Sequence, residues 1–171
     1  MSFKRISLII FIVACSKTLW PCSCLYEDPF IDMAKESVLV VRAKVLKYFP
    51  YKANGNYLDY KAMDIEIMEI YKGQEVKKTI RVWGDDGALC RPYVVEFTIG
   101  KTYIFALAKG GGKFGADYEE NDYVISICGE FYLKVKKQIV IGHITNKNLK
   151  MKRQRMKLAF FNGFLRGVLS R

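Results

Sequence analysis

Cys22 and Cys24 flank a single residue, Ser23, while Cys90 and Cys128 stand far downstream in a chain of 171 residues. This spacing constrains the fold more than any other feature. A bridge between Cys22 and Cys24 would close a strained ring across one residue. Of the three connectivities that four cysteines allow, two remain, and both run from the N-terminal segment to Cys90 and Cys128. The start of the mature chain is therefore expected to be stapled onto two distant parts of one domain. Each closed loop would restrict the unfolded chain by roughly 4–5 kcal/mol in the chain-entropy model, less any native strain. Bridges of this kind need an oxidising compartment.

The first residues supply that compartment. Lys4 and Arg5 form a basic start, and Ile6 to Ala14 is an apolar run interrupted only by Ser7. The run is too short to span a bilayer as a helix and reads as a signal peptide over residues 1–15. Two readings of its end stand side by side. Small residues place the cut after Cys15 or Ser16, which makes Cys15 an apolar residue that is discarded. Alternatively, Ile12-Val13-Ala14-Cys15 reads as a bacterial lipoprotein box with Cys15 as the lipidated first residue. Either way the chain is expected to be exported: extracellular, periplasmic, or lipid-anchored at the outer membrane.

What remains is roughly 150 residues, a normal size for one domain. Hydrophobic residues at 51% and aromatics at 14% suffice for a packed core. The net charge of +11 has a telling location: all 17 acidic residues fall between Glu27 and Glu130. From Phe131 to the end there are 11 Lys and Arg and no acid, so the tail alone accounts for the surplus.

The body reads as mostly strand. A short helix is expected from Pro29 to Glu36, then a β-branched, apolar-rich strand from Val38 to Phe49. Asn54-Gly55 is a hairpin turn signal, and Met63-Asp64-Ile65-Glu66-Ile67 alternates at period two. Lys72-Gly73 ends that strand, and Thr79 to Trp83 begins the next. Gly84-Asp85-Asp86-Gly87 is a loop by composition. Lys101 to Ala108 and Tyr123 to Cys128 give two more strands, joined by a loop from Gly110 to Asn121. The fold class is mainly β: a five- or six-stranded antiparallel OB-type barrel over residues 22–142, with a short N-terminal helix and a C-terminal helix.

Cys22-Ser23-Cys24, Val40-Val41-Arg42-Ala43-Lys44-Val45, Ile70-Tyr71-Lys72-Gly73, Ala88-Leu89-Cys90, Ile104-Phe105-Ala106 and Ile127-Cys128 follow one another in the chain. In this order they resemble the N-terminal domain of tissue inhibitors of metalloproteinases, within the wider netrin-like group of OB-type barrels, over roughly Cys22 to Leu133. Compact, single-domain bacterial versions are the most similar. The resemblance implies pairing of Cys22 with Cys90 and of Cys24 with Cys128. It also implies a mechanism: the free α-amine and carbonyl of the first cysteine chelate a protease's catalytic zinc, filling the position left open for water. Ser23 would point toward the specificity pocket, with the loop Asp86, Gly87, Ala88 and Leu89 beside it. An α-amine, with a pKa of about 7.7–8.0, keeps a usable neutral fraction at physiological pH. The chain lacks both partners of the inhibitors' third disulfide and their second, cysteine-rich subdomain. Trp20-Pro21 also stands immediately before Cys22. A cut near Cys15 or Ser16 would leave the Cys22 nitrogen in an amide bond, unable to ligate zinc.

No catalytic set is visible. His143 is the one histidine, so a two-histidine zinc motif is excluded, and no cofactor or intrinsic metal is expected. Asp85 and Asp86 read as turn formers. Gly110-Gly111-Gly112-Lys113 lacks the residues of a Walker loop and reads as a flexible connection. Ser23 has no histidine nearby to activate it. The tyrosines and phenylalanines read as core and cross-strand pairs. A charge-balanced barrel and export argue against nucleic acid. The expected function is a non-enzymatic protein-binding domain that inhibits a zinc metallopeptidase or binds an envelope protein. The alternative is a structural or adhesive envelope module.

Residues 149–171 read as a basic amphipathic helix. Met156, Phe160, Phe164 and Val168 recur every four residues, Leu158, Phe161, Leu165 and Leu169 widen the stripe, and Gly163 and Gly167 weaken the helix. Lys150, Lys152, Arg153, Arg155 and Lys157 crowd its start. The expectation is that the stripe docks on the barrel. The alternative is that the tail, through these cations with Phe160 and Phe164, holds an anionic membrane or partner.

Overall fold

The computed structural model describes residues 28–52, 58–85, 90–110, 122–146 and 153–170. Five strands form the barrel: β1 (Leu39–Lys52), β2 (Leu58–Lys72), β3 (Thr79–Trp83), β4 (Thr102–Lys109) and β5 (Tyr123–Val124). Their order is β1-β2-β3-β5-β4, and β4 pairs back onto β1 to close the circle. Every barrel pairing is antiparallel except β3 with β5. This is an OB-type barrel, and closure removes the exposed edges that an open sheet of this kind would leave.

β1 and β2 are long, at 14 and 15 residues. Register shifts at Val40/Val41, Arg42/Ala43, Val45/Lys47 and Phe49/Pro50 bend them around the barrel, as extra residues in one strand do. Their ladder runs out to Lys52 opposite Leu58; Asn54-Gly55, between them, lies outside the described residues. Gly73, past the end of β2, has φ +82, and a Cβ there would strike the Val38 carbonyl oxygen. Only glycine suits that position.

β4 reads in the sequence as one apolar run because it is buried on both faces. Tyr103, Phe105 and Leu107 enter the barrel interior with Val41, Ala43, Val45, Met63 and Ile65. Phe97, in the connection before β4, packs its ring edge-on at 5.4 Å to both Tyr103 and Phe105 and at 4.8 Å to Tyr132. The alternate residues Ile104 and Ala106 join Val40 in a second core outside the barrel. Two helices cover that core. One is α1 (Phe30–Glu36), which buries Phe30, Ile31, Met33 and Ala34.

Beyond β5 the chain adds β6 (Tyr132–Lys136), β7 (Ile139–Gly142) and β8 (Gln154–Lys157), a meander hydrogen-bonded to β4 through β6. The β6–β7 turn has φ 48 at Lys137 and 62 at Gln138, the left-handed signs of a type I′ hairpin. α1 has no side-chain cap at Pro29. Its first free N–H groups instead meet the exit from β7, Phe30 donating to His143 C=O at 2.8 Å and Ile31 to Ile144 C=O at 3.2 Å. At its other end Ser37 Oγ donates to Met33 C=O at 2.8 Å, and the Lys72 ammonium to the carbonyls of Ala34 and Lys35. A cation suits a helix C-terminus.

The second helix, α2 (Leu158–Leu169), is shorter than the span expected over 149–171. Gln154–Lys157 is strand instead, because β7 offers an open edge: Val140 pairs with Met156 and Ile141 with Arg155. Those ladder bonds outweigh local helix preference, which is worth only tenths of a kcal/mol per residue. The buried stripe of α2 is Leu158, Phe161 and Leu165, with Phe164, Val168 and Leu169 packed partly against the same core; Phe160 is 67% exposed. Phe161 meets Phe30 at 6.2 Å and Tyr71 at 6.4 Å between ring centroids. A polar clasp reinforces the docking. Tyr71 Oη donates to Asn162 Oδ1 at 2.7 Å, and Glu69 accepts from Arg166 at 2.8 Å and pairs with Arg42 at 3.2 Å.

The strand expected over Tyr123–Cys128 keeps only its first two residues. Past Val124 the backbone leaves the ladder, with Ile125 N–H donating to Trp83 C=O at 3.3 Å and Ile127 N–H to Cys90 C=O at 3.2 Å.

Candidate partner-contact site

Of the residues singled out for protease contact, Cys22, Ser23, Cys24, Asp86, Gly87, Ala88 and Leu89 lie outside the described residues, as do Cys15 and residues 1–27 as a whole. The structure does place the residues that flank the 86–89 segment in sequence. The 86–89 loop leaves β3 through Gly84 and Asp85. Gly84 N–H donates to Lys61 C=O at 2.8 Å and Asp85 N–H to Pro92 C=O at 3.1 Å. A Cβ on Gly84 would press on Pro92 and Val94, so the two sides of this loop meet as backbone.

Cys90 and Cys128 are neighbours. The carbonyl of Cys90 accepts from the residue before Cys128, so two positions far apart in sequence share one end of the barrel. The first described residue stands there too: Asp28 C=O accepts from Glu130 N–H at 2.9 Å, and Gly129, at φ +108, leaves the room that Met33 Sδ and the Asp28 carbonyl oxygen fill. Beside the cysteines Tyr93 is 44% and Ile127 51% exposed, leaving apolar surface at this end.

A set of hydrogen bonds underlies this end. Trp83 Nε1 donates to Asp122 Oδ2 at 2.7 Å in a buried contact, and Asp122 C=O accepts from Gly110 N–H at 2.8 Å. On the same side Tyr123 Oη donates to Glu75 at 2.7 Å and accepts from Lys109 at 3.0 Å. Burial and then the Glu75 carboxylate push the Tyr123 phenol up. Burial would raise Glu75 as well, but hydrogen bonds from Lys77 N–H and Tyr123 outweigh it and hold that carboxyl low. Burial also raises Glu130, against the His143 N–H that its Oε1 accepts at 3.3 Å.

His143 thus works through its backbone, at α1 and at Glu130. Among the described residues no group of three His, Cys, Asp or Glu could hold a metal ion, and no helix is long and apolar enough to cross a membrane. Lys150 and Lys152 lie outside the described residues, whereas Arg153 precedes β8 and Arg155 and Lys157 lie on it. Phe164 packs partly against the outer core. Arg155 and Lys157 therefore sit on a sheet rather than a helix. Sequence reasoning missed this arrangement and the Glu69 clasp, although Leu133-Lys134-Val135-Lys136 alternates apolar and basic at period two.

Compared with models of known protein families and with curated proteins, the chain matches none.

Proposed function

We propose that this chain is an exported, non-enzymatic protein-binding module similar to the metalloproteinase-inhibitor N-terminal domain. In this reading Cys22 pairs with Cys90 and Cys24 with Cys128. The clamped segment and the 86–89 loop then form one contact surface, and the partner is a zinc endopeptidase wherever the Cys22 amine is free.

The observation that carries this reading is the adjacency of Cys90, Cys128 and the incoming chain at Asp28. Cysteines two apart lie no more than about 7 Å from each other, and each bridge spans at most about 6.8 Å between Cα atoms. Two such bridges can form only where their far ends lie within about 20 Å of each other, and Cys90 and Cys128 meet that limit. Asp28 is four residues past Cys24 and is tied two residues past Cys128, so about 14 Å of extended chain suffices to connect them. Neither Cys90 nor Cys128 stands as a free thiol, which supports the same reading.

The test is a panel of zinc endopeptidases assayed against the chain beginning at Cys22 and against the same chain with its α-amine acetylated. Acetylation removes the nitrogen lone pair needed for zinc. Inhibition by the free-amine form alone supports the mechanism. Equal inhibition by both refutes the chelation step. No inhibition at micromolar protein favours a structural or adhesive module, whose cysteine clamp closes one end of the barrel.

A further inference from the structure

The β6–β7–β8 meander lies in the acid-free part of the chain, and its two faces differ. Leu133, Val140 and Met156 point to the outer core under α1 and α2. The opposite face follows from the register: Lys134 pairs with Ile141 and Ile141 with Arg155, while Lys136 pairs with Ile139 and Ile139 with Lys157. Side chains two apart on a strand, and those directly paired across strands, share a face. This face therefore carries two parallel rows, each a cation, an isoleucine and a cation.

The four cations are exposed and the two isoleucines half-buried. Rows repeat about 7 Å apart, and the outer strands stand about 10 Å apart. None of the four cations has an ion-pair partner among the described residues, whereas Arg42, Lys78, Arg81 and Arg166 do. A groove of about 450 Å³ continues the face toward the barrel and adds Lys101, Arg153 and the carboxylate of Glu96 to its lining. An adjoining groove reaches Glu130 and His143. Glu96 and Glu130 line these grooves beside the face, and the β6, β7 and β8 strands themselves carry no carboxylate.

We infer that this sheet face docks on an anionic lipid surface. Two observations favour a bilayer over an acidic polymer. The cations spread in two dimensions, where a single extended polymer would engage one row. The central isoleucine stripe also has a use only where charge and apolar depth meet, at the headgroup boundary. The contact runs through the sheet and leaves α2 free to stay docked in the core.

The experiment is co-sedimentation of the purified mature chain with vesicles of phosphatidylcholine alone and of phosphatidylcholine mixed with phosphatidylglycerol. Binding is read as the difference between the two, so an acyl anchor, which would insert in both, drops out. Two double variants are compared, Lys134→Gln with Lys136→Gln and Arg155→Gln with Lys157→Gln. All four positions are exposed, so the fold is kept. Each cation near an anionic surface is worth about fivefold in affinity, so each pair should weaken binding about 30-fold. Added salt should weaken it further. Unchanged binding in both double variants would overturn the inference, as would loss of binding in Phe160→Ala with the sheet face intact. Capture on polyglutamate or heparin without vesicle binding would also overturn it and assign the face to a soluble polyanion.

Discussion

Replacing Phe161 by alanine tests whether the C-terminal helix is part of the core. Its side chain is fully buried and lies between Phe30, at 6.2 Å, and Tyr71, at 6.4 Å and nearly perpendicular. Truncating a buried phenylalanine costs about 3–5 kcal/mol, and each ring pair is worth about 0.5–1.5 kcal/mol beyond its buried area. The site lies between a helix and a barrel rather than inside the barrel, so the helix can settle partway into the gap. A loss of about 3–4 kcal/mol is expected, within the range for sites that partly collapse. In thermal unfolding this corresponds to a fall in Tm of about 10 °C at this chain length. Phe160, its neighbour, is 67% exposed, and Phe160→Ala should change stability by less than about 0.5 kcal/mol. Urea unfolding with disulfides intact gives both values. Equal effects, or a larger one at Phe160, would refute the stripe assignment; no effect at either would refute docking.

Glu69 holds Arg42, Arg166 and Asn162 at one point. Glu69→Ala should cost about 1.5–3 kcal/mol, the range for charge-assisted hydrogen bonds, and raised salt should reduce the loss in urea titrations. Gly73→Ala should destabilise by more than about 1 kcal/mol by calorimetry, because alanine disfavours φ +82 and its Cβ meets the Val38 carbonyl. Glu130, held above its ordinary pKa chiefly by burial, makes a contribution that is fully present at low pH and lost as pH rises through its folded pKa. Glu130→Gln keeps an acceptor for the His143 N–H, so its Tm should exceed the parent's near pH 8 and converge with it near pH 3.

The barrel strands were largely legible because they obey simple periodicities. Thr79–Trp83 falls at the expected residues, and β4 departs from Lys101–Ala108 by one residue at each end. The errors share a cause. Gln154–Lys157 took strand because β7 offered it an edge, and Ile125 to Cys128 left the ladder for single bonds to Trp83 and Cys90. Both outcomes depend on partners far away in the sequence, which a local reading does not see. Which residues of the wide apolar stripe lie deepest was likewise undecidable from periodicity: Phe161 is fully buried and its neighbour Phe160 is 67% exposed. The cysteines of the candidate site are read directly from the sequence; that Cys90, Cys128 and Asp28 converge emerges only from the closed barrel.

The central claim is a double clamp at the end of the barrel. Non-reducing peptide mapping of the mature protein by mass spectrometry tests it most directly. The account predicts one fragment joining Cys22-Ser23-Cys24 to the peptides of both Cys90 and Cys128; partial reduction with alkylation of the freed thiols should leave singly bridged species in which Cys22 holds the Cys90 peptide or Cys24 holds the Cys128 peptide. A Cys90–Cys128 bridge, or free thiols at Cys22 and Cys24, would contradict it.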